Sequence, residues 1–219
     1  MGSKERRERE RKEMRENILN AAIELFVEHG FEKTTIRRIA DKIEYTPGNI
    51  YAYFKNKNEI IYAIHKRGFR ILYDMEMTVV DTPDPSERLV KLGQVYIQFG
   101  LTHRPFYDLM FIDSHVQKVI SDEEHWAEGQ NSYGVLRQTV ADCIETGAIP
   151  HGDIDSVSFA MWSFVHGLVA LVVRGRCAMI PDELMPQVLR SAFSYVNTGL
   201  MQRNDIPAML RADAFQPSQ

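Results

Sequence analysis

Between Thr34 and Ile60 the chain reads TTIRRIADKIEYTPGNIYAYFKNKNEI, a stretch with room for two short helices, a tight turn and little else. Ile36, Ile39, Ala40 and Ile43 recur at i, i+3, i+4 and i+7, which predicts a helix with one buried stripe. Thr35 stands where it can cap that helix. Thr46 is a second N-cap candidate, and Pro47 fits the first turn because the N–H it lacks would be unpaired there. The helix so opened runs to about Phe54. Asn56, with Glu59 three residues on, resembles a capping box with Asn in place of Ser or Thr, and it opens a longer fourth helix.

Helical periodicity extends over nearly the whole chain, with no convincing strand. Ile18, Ala22 and Leu25 share a face of a first helix, and His29-Gly30-Phe31 reads as a glycine stop followed by an apolar lock. The Glu/Arg run before it can continue that helix as a solvated arm, or fray, and a solvated face is a better reading of it than a dedicated contact arm. Pro83 and Pro85 mark the next break, after which Ser86 can cap a helix carrying Leu89, Leu92, Tyr96 and Phe99. Pro105 starts a short helix with Phe106, Leu109 and Met110, and Ser121–Gln130 reads as a loop. Tyr133, Leu136, Val140 and Cys143 describe a helix stopped at Gly147. Asp153 or Asp155 starts a long apolar helix ending near Arg174-Gly175, and a last helix is expected from Asp182 to Met201. The tail after Asn204 is expected to be partly mobile.

Charge is unevenly distributed. Met1–Gly68 holds 15 Lys and Arg against 11 Asp and Glu, whereas the rest holds 11 against 19. A basic first third on an acidic body points to a local polyanion site rather than a wholly basic protein. Two cysteines, Cys143 and Cys177, are too few for a disulfide framework, and the charged amino terminus lacks the apolar core of a signal peptide. Both facts favour a cytoplasmic protein. Ser156–Val173 is 18 residues without a formal charge, at the lower edge of a membrane span. Its serines and a mid-run histidine favour burial in a helical core, so no membrane partner is expected.

Two short helices joined by a turn and packed on a first helix make a helix-turn-helix, with Thr46–Phe54 as its recognition helix. Ile50 and Phe54, at i and i+4, would anchor it inward, leaving Thr46, Asn49, Tyr51, Ala52 and Tyr53 toward the groove or its rims. Pro47 and Gly48 keep bulk away from an approaching duplex. Tyr51 and Lys57 suit phosphates, and Arg37 can reach a phosphate or a guanine edge.

These residues carry a resemblance. Ile18–Ile64, through Gly30-Phe31, Thr34-Thr35, Ile39-Ala40, Gly48, Ile50-Tyr51, Tyr53-Phe54 and Lys57, resembles the amino-terminal domain of the TetR (tetracycline repressor) family of transcription regulators. The resemblance implies an all-α protein. Residues 1–58 would be a helix-turn-helix DNA-binding domain with a charged arm, and 59–219 a helical effector-binding and dimerisation domain. It also implies DNA contacts from Thr35, Arg37, Thr46, Pro47, Gly48, Asn49, Tyr51, Tyr53 and Lys57. Ala52 departs from the family pattern, where many members carry a larger side chain. Trp162, His166 and Gly167 resemble a Trp-His-Gly signature of one branch of the family's second domains.

The implied function is a repressor that binds a palindromic operator as a homodimer and is released by a small, largely apolar effector. Phe69, Tyr73, Tyr96, Phe99, Met110, Tyr133, Trp162 and His166 are the candidate effector contacts. No cofactor or metal is expected, because His103, His115, His125 and His151 lack ligand spacing and no catalytic motif appears. The rivals are a constitutive architectural DNA-binding protein, and a helical enzyme or membrane-attached protein with a similar helical hairpin.

Overall fold

The computed structural model describes residues 3–113, 116 and 127–201, and the regular structure within them is entirely helical. His115, His125, most of the expected loop Ser121–Gln130 and the tail after Asn204 lie outside these residues. The chain divides into two compact units, Met1–Tyr73 with Thr102–Gln130, and Asp74–Leu101 with Asn131–Gln219.

The first unit begins with α1 (Ser3–Lys33), which is broken at Gly30, where φ is 77° and ψ 168°. Side chains with a Cβ rarely adopt that conformation, so the glycine is what permits the break. Phe31 then folds back onto Phe26, with ring centroids 5.8 Å apart. Thr34 is fully buried, and its hydroxyl shares its one proton between the carbonyls of Leu25 (3.0 Å) and Gly30 (2.9 Å). The break is therefore pinned by a side chain that also satisfies two backbone acceptors.

Helix α2 (Ile36–Lys42) follows, with Thr35 Oγ1 accepting from the Arg38 N–H at 3.2 Å. Its exit is a Schellman turn: Glu44 N–H donates to Asp41 O and Tyr45 N–H to Ala40 O. Glu44 occupies the left-handed position at φ 60°, where glycine is usual. Helix α3 (Pro47–Tyr51) is shorter than the sequence suggests, since from Ala52 to Phe54 the chain continues only as a tight turn on the Asn49 and Ile50 carbonyls. Thr46 has capping backbone geometry, but its hydroxyl donates to the Asn49 side-chain oxygen instead of capping the backbone.

The capping box at α4 (Lys57–Met77) is present in modified form. Asn56 Oδ1 accepts from Glu59 N–H at 2.9 Å, while Glu59 reaches back to the Lys55 N–H at 2.7 Å. Ile18, Ala22, Ile39, Ala40, Ile50, Phe54, Ile60 and Ile64 form the core of this unit. Beyond α6 (Arg104–Tyr107) the chain widens into a π-helical turn at Asp108–Ile112 rather than extending the short helix from Pro105, with Asp113 N–H bonded to Asp108 O.

In the second unit, α5 (Pro85–Thr102) is capped by Asp84, not Ser86. Asp84 Oδ1 accepts from the N–H and hydroxyl of Ser86 at 2.8 and 2.6 Å. The reason is Pro85, which belongs at the first helical position and so puts the cap one residue before it. Helix α7 (Ala127–Glu145) ends at Gly147 and α8 (Ile154–Val173) at Gly175, both in Schellman turns with φ near 70° and 62°. Asp153 is the cap of α8, accepting from Ser156 N–H at 2.9 Å. Helix α9 (Met185–Met201) starts three residues later than Asp182. Pro186 explains the shift, because its ring would clash with the carbonyl four residues earlier if the helix began there.

Candidate nucleic-acid interface

A five-residue helix has no stability of its own, so α3 is held by what it buries. Ile50 and Phe54 are each 1 % exposed, and the guanidinium of Arg15 lies 4.1 Å from the Phe54 ring centroid. Arg15 also donates to the Tyr53 carbonyl at 3.2 Å. With these anchors inward, Thr46, Gly48, Asn49, Tyr51 and Ala52 are left exposed, and Pro47 is half-buried. Tyr51 is 55 % exposed. Arg37 and Thr35 are exposed at the start of α2, and Arg37 has no hydrogen-bond or ion-pair partner among the described residues. The structure thus brings polar tips from two short helices onto the outside of one anchored pair.

Two expected contacts have inward ties. Tyr53 is half-buried against the core. Lys57 Nζ donates to Phe31 O at 2.9 Å and sits 3.8 Å from the Phe31 ring centroid, fastening the segment after the Gly30 break to the start of α4. An ammonium has three donors, so this bond leaves two protons and the charge for another partner.

Arg15 was not legible as a functional residue in the sequence. Its signal is spacing: it precedes Ile18 by three and Ala22 by seven, on the buried stripe of α1.

The candidate effector residues divide between the units. Phe69, Tyr73 and Met110 fall in the first, where Phe69 packs edge-on against His65 and Phe111. A Cβ at Gly68 would lie 2.3 Å from Met110 Sδ, so any side chain there must displace the methionine thioether. In the second unit, Phe99 is fully buried. Trp162 Nε1 donates to Tyr96 Oη at 3.2 Å, and Tyr96 Oη lies 3.2 Å from His166 Nδ1. Burial holds the His166 pKa below its usual value, which favours the neutral ring, whose Nδ1 accepts the tyrosine proton in the Nε2–H tautomer. Tyr133 meets Trp162 edge-on at 6.1 Å. Sequence periodicity did not reveal Glu76, which is buried in the same unit and bonded to Ser132 Oγ at 2.8 Å.

Among the described residues no group of three or more His, Cys, Asp or Glu is placed to hold a metal ion. Burial pushes the Cys143 thiol up to about 11, which leaves it unreactive at neutral pH.

Helix α8 is long and apolar enough by length and composition to cross a membrane, and only 22 % of its most apolar stretch is buried in this chain. Phe159 is 60 % exposed and Leu171 51 %, and Leu184 just before α9 and Val188 and Tyr195 on it are exposed. Phe159, Ser163, Gly167 and Leu171 follow at intervals of four along this face. A Cβ at Gly167 would meet nothing within 4 Å.

Comparison with known proteins agrees with this geometry. The family model for bacterial regulatory proteins of the tetR family matches residues 18–64, and that for the tetracyclin repressor-like C-terminal domain matches residues 89–194. The chain is 26 % identical to the probable HTH-type transcriptional regulator ArpR of Pseudomonas putida, over 93 % of this chain and 98 % of that protein. It is also 26 % identical to a probable acrEF/envCD operon repressor of Escherichia coli K12, over 71 % of this chain and 74 % of that one. The fold resembles that of the fatty acid degradation regulator FadR from Bacillus halodurans, with a TM-score of 0.70 at 17 % identity, covering 86 % of this chain and 97 % of that one.

Proposed function

Because this chain belongs to the tetR family of bacterial regulatory proteins, and is a DNA-binding transcription regulator rather than an enzyme, we propose that it is a cytoplasmic repressor that binds a palindromic operator as a homodimer. A small, largely apolar effector entering the helical second domain releases it. Residues 1–58 are assigned to operator binding, and 59–219 to effector binding and dimerisation. Regulators of this family bind DNA operators and generally act as dimers with small-molecule effectors. The observation that carries the proposal is α3, whose polar side chains are exposed while Ile50 and Phe54 bury its other face. In the second unit, Tyr96, Phe99, Tyr133, Trp162 and His166 are the expected effector contacts.

Selection of bound fragments from a random duplex pool tests the proposal. A recovered palindrome with half-site centres about one helical turn apart, roughly 34 Å, or somewhat more, is the expected result. Binding without sequence preference would overturn it in favour of an architectural protein.

Within the interface, Arg37 and Asn49 are assigned to reading bases, and Tyr51 and Lys57 to phosphates. Alanine at Arg37 or Asn49 should cost about 1–3 kcal/mol at particular operator positions and relax preference there. Tyr51→Phe should weaken every sequence alike. Affinities measured against single-position operator variants separate the two behaviours, and unchanged selectivity in the Arg37 and Asn49 variants would refute the assignment.

The apolar face of α8 and α9 is assigned to the second copy, since exposed apolar patches of this kind mark interaction sites. Gly167→Leu should dissociate the dimer while leaving the protomer folded, because a Cβ at this position meets nothing within 4 Å in its own chain. Sedimentation at micromolar concentration checks both points, and a monomeric parent protein would refute the assignment.

A further inference from the structure

We propose that the amino-terminal turns of α1 are a second DNA-contacting element, a helical arm whose basic stripe lies along the phosphates flanking each operator half-site. The inference rests on the reading of the chain as an operator-binding regulator and adds residues that reading does not use.

The arm is helical from Ser3, and its charges are segregated around the axis. At 100° per residue, Lys4, Arg7, Arg11 and Arg15 fall on the side that becomes the buried stripe at Ile18 and Ala22, and Lys12 lies just past its edge. That side carries one carboxylate, Glu8. The other side holds Glu5, Glu10, Glu13 and Glu16 with Arg6 and Arg9. There the charges neutralise one another: Arg6 pairs with Glu10 at 3.3 Å and Arg9 with Glu13 at 3.7 Å. Lys4, Arg7 and Arg11 are exposed and have no ion pair among the described residues. A helix charged only for solubility would have no reason to sort its signs in this way.

The stripe is joined to the recognition helix. Its last member, Arg15, is the residue that donates to the Tyr53 carbonyl and covers the Phe54 ring. From Lys4 to Arg15 the arm rises about 16 Å, at 1.5 Å per residue. That is roughly four or five base-pair steps measured along the duplex axis. A row of unneutralised cations continuous with a DNA-reading surface is complementary to duplex phosphates, and this continuity singles out DNA over other polyanions.

The test uses the full chain and the operator recovered by selection, in a long duplex and in one trimmed to the half-sites. The triple variant Lys4→Ala, Arg7→Ala, Arg11→Ala removes three cations from each of two protomers, so it should lower the slope of log affinity against log salt by about five units on the long duplex. On the trimmed duplex it should bind like the parent. Alanine is a better helix former than Lys or Arg, so the substitution does not melt the arm. The control Arg6→Ala, Arg9→Ala removes charge from the other side and should leave the slope unchanged. Equal losses in both variants, no loss in either, or a loss that persists on the trimmed duplex would overturn the proposal. Failure of the parent chain to prefer any duplex would instead overturn the operator-binding reading.

Discussion

Phe54→Ala is expected to destabilise the first unit by about 3–5 kcal/mol and to abolish operator binding without removing any group that faces DNA. The ring is 1 % exposed, sits in the main core cluster and supports the Arg15 guanidinium on its face. Alanine there loses the transfer free energy of the ring and leaves a cavity that the short α3 cannot fill without moving. Such movement is what disables binding: five helical residues have no internal stability, so the angle of α3 is set by Ile50 and Phe54. Phe54→Leu, which retains most of the apolar volume, should recover most of both stability and binding. Thermal unfolding followed by circular dichroism measures the first effect and operator titration the second. A variant that melts like the parent would show that the ring is not the anchor.

The same division between anchors and tips explains how much could be read in advance. Helices α1 to α4 were legible because each pairs apolar positions at helical spacing with a terminal signal: Gly30, Thr35, Pro47 and the Asn56–Glu59 pair respectively. The outward residues then followed by elimination, once Ile50 and Phe54 were assigned inward. The turn between α2 and α3 carries no such signal, because its left-handed position holds Glu44 where a glycine would have marked it. Its geometry is imposed by packing on both sides of it. The π-helical turn at Asp108–Ile112 is similarly invisible, since one inserted residue changes hydrogen bonding without changing which residues are apolar.

The candidate effector contacts were harder to assign for a different reason. Phe69, Phe99 and Met110 are almost fully buried, and an aromatic or methionine stripe looks the same whether it fills a core or lines a cavity. What distinguishes Tyr96, Trp162 and His166 is the hydrogen-bond chain among them, and Tyr96 is 66 residues from Trp162. Periodicity within one helix cannot show a partner on another. The arm illustrates the opposite case: its mixed composition reads as an ordinary solvated face until the residues are placed around an axis shared with Ile18 and Ala22.

Glu76→Gln should stabilise the protein at neutral and alkaline pH and change little near pH 4. Glu76 is 7 % exposed, and one carboxyl oxygen accepts from Ser132 Oγ at 2.8 Å. The other oxygen has no hydrogen-bond partner among the described residues. Burial raises its pKa from the ordinary carboxylate range to about 8, against a smaller lowering by the serine bond. The folded chain therefore keeps this proton where the unfolded chain has released it. Stability is greatest below the unfolded pKa of about 4.3, falls as pH rises toward about 8, and then levels off. Each pH unit climbed between those two values costs about 1.4 kcal/mol, so the loss at pH 7 is about 3–4 kcal/mol. Glutamine keeps the shape and the acceptor for Ser132 but cannot ionise, so it removes the cost without opening a cavity. Denaturant unfolding of both proteins at about pH 4, 7 and 8 should show curves that nearly coincide in acid and separate progressively in base. A constant difference across the series would mean that Glu76 is ionised in the folded state, and that burial does not govern its titration.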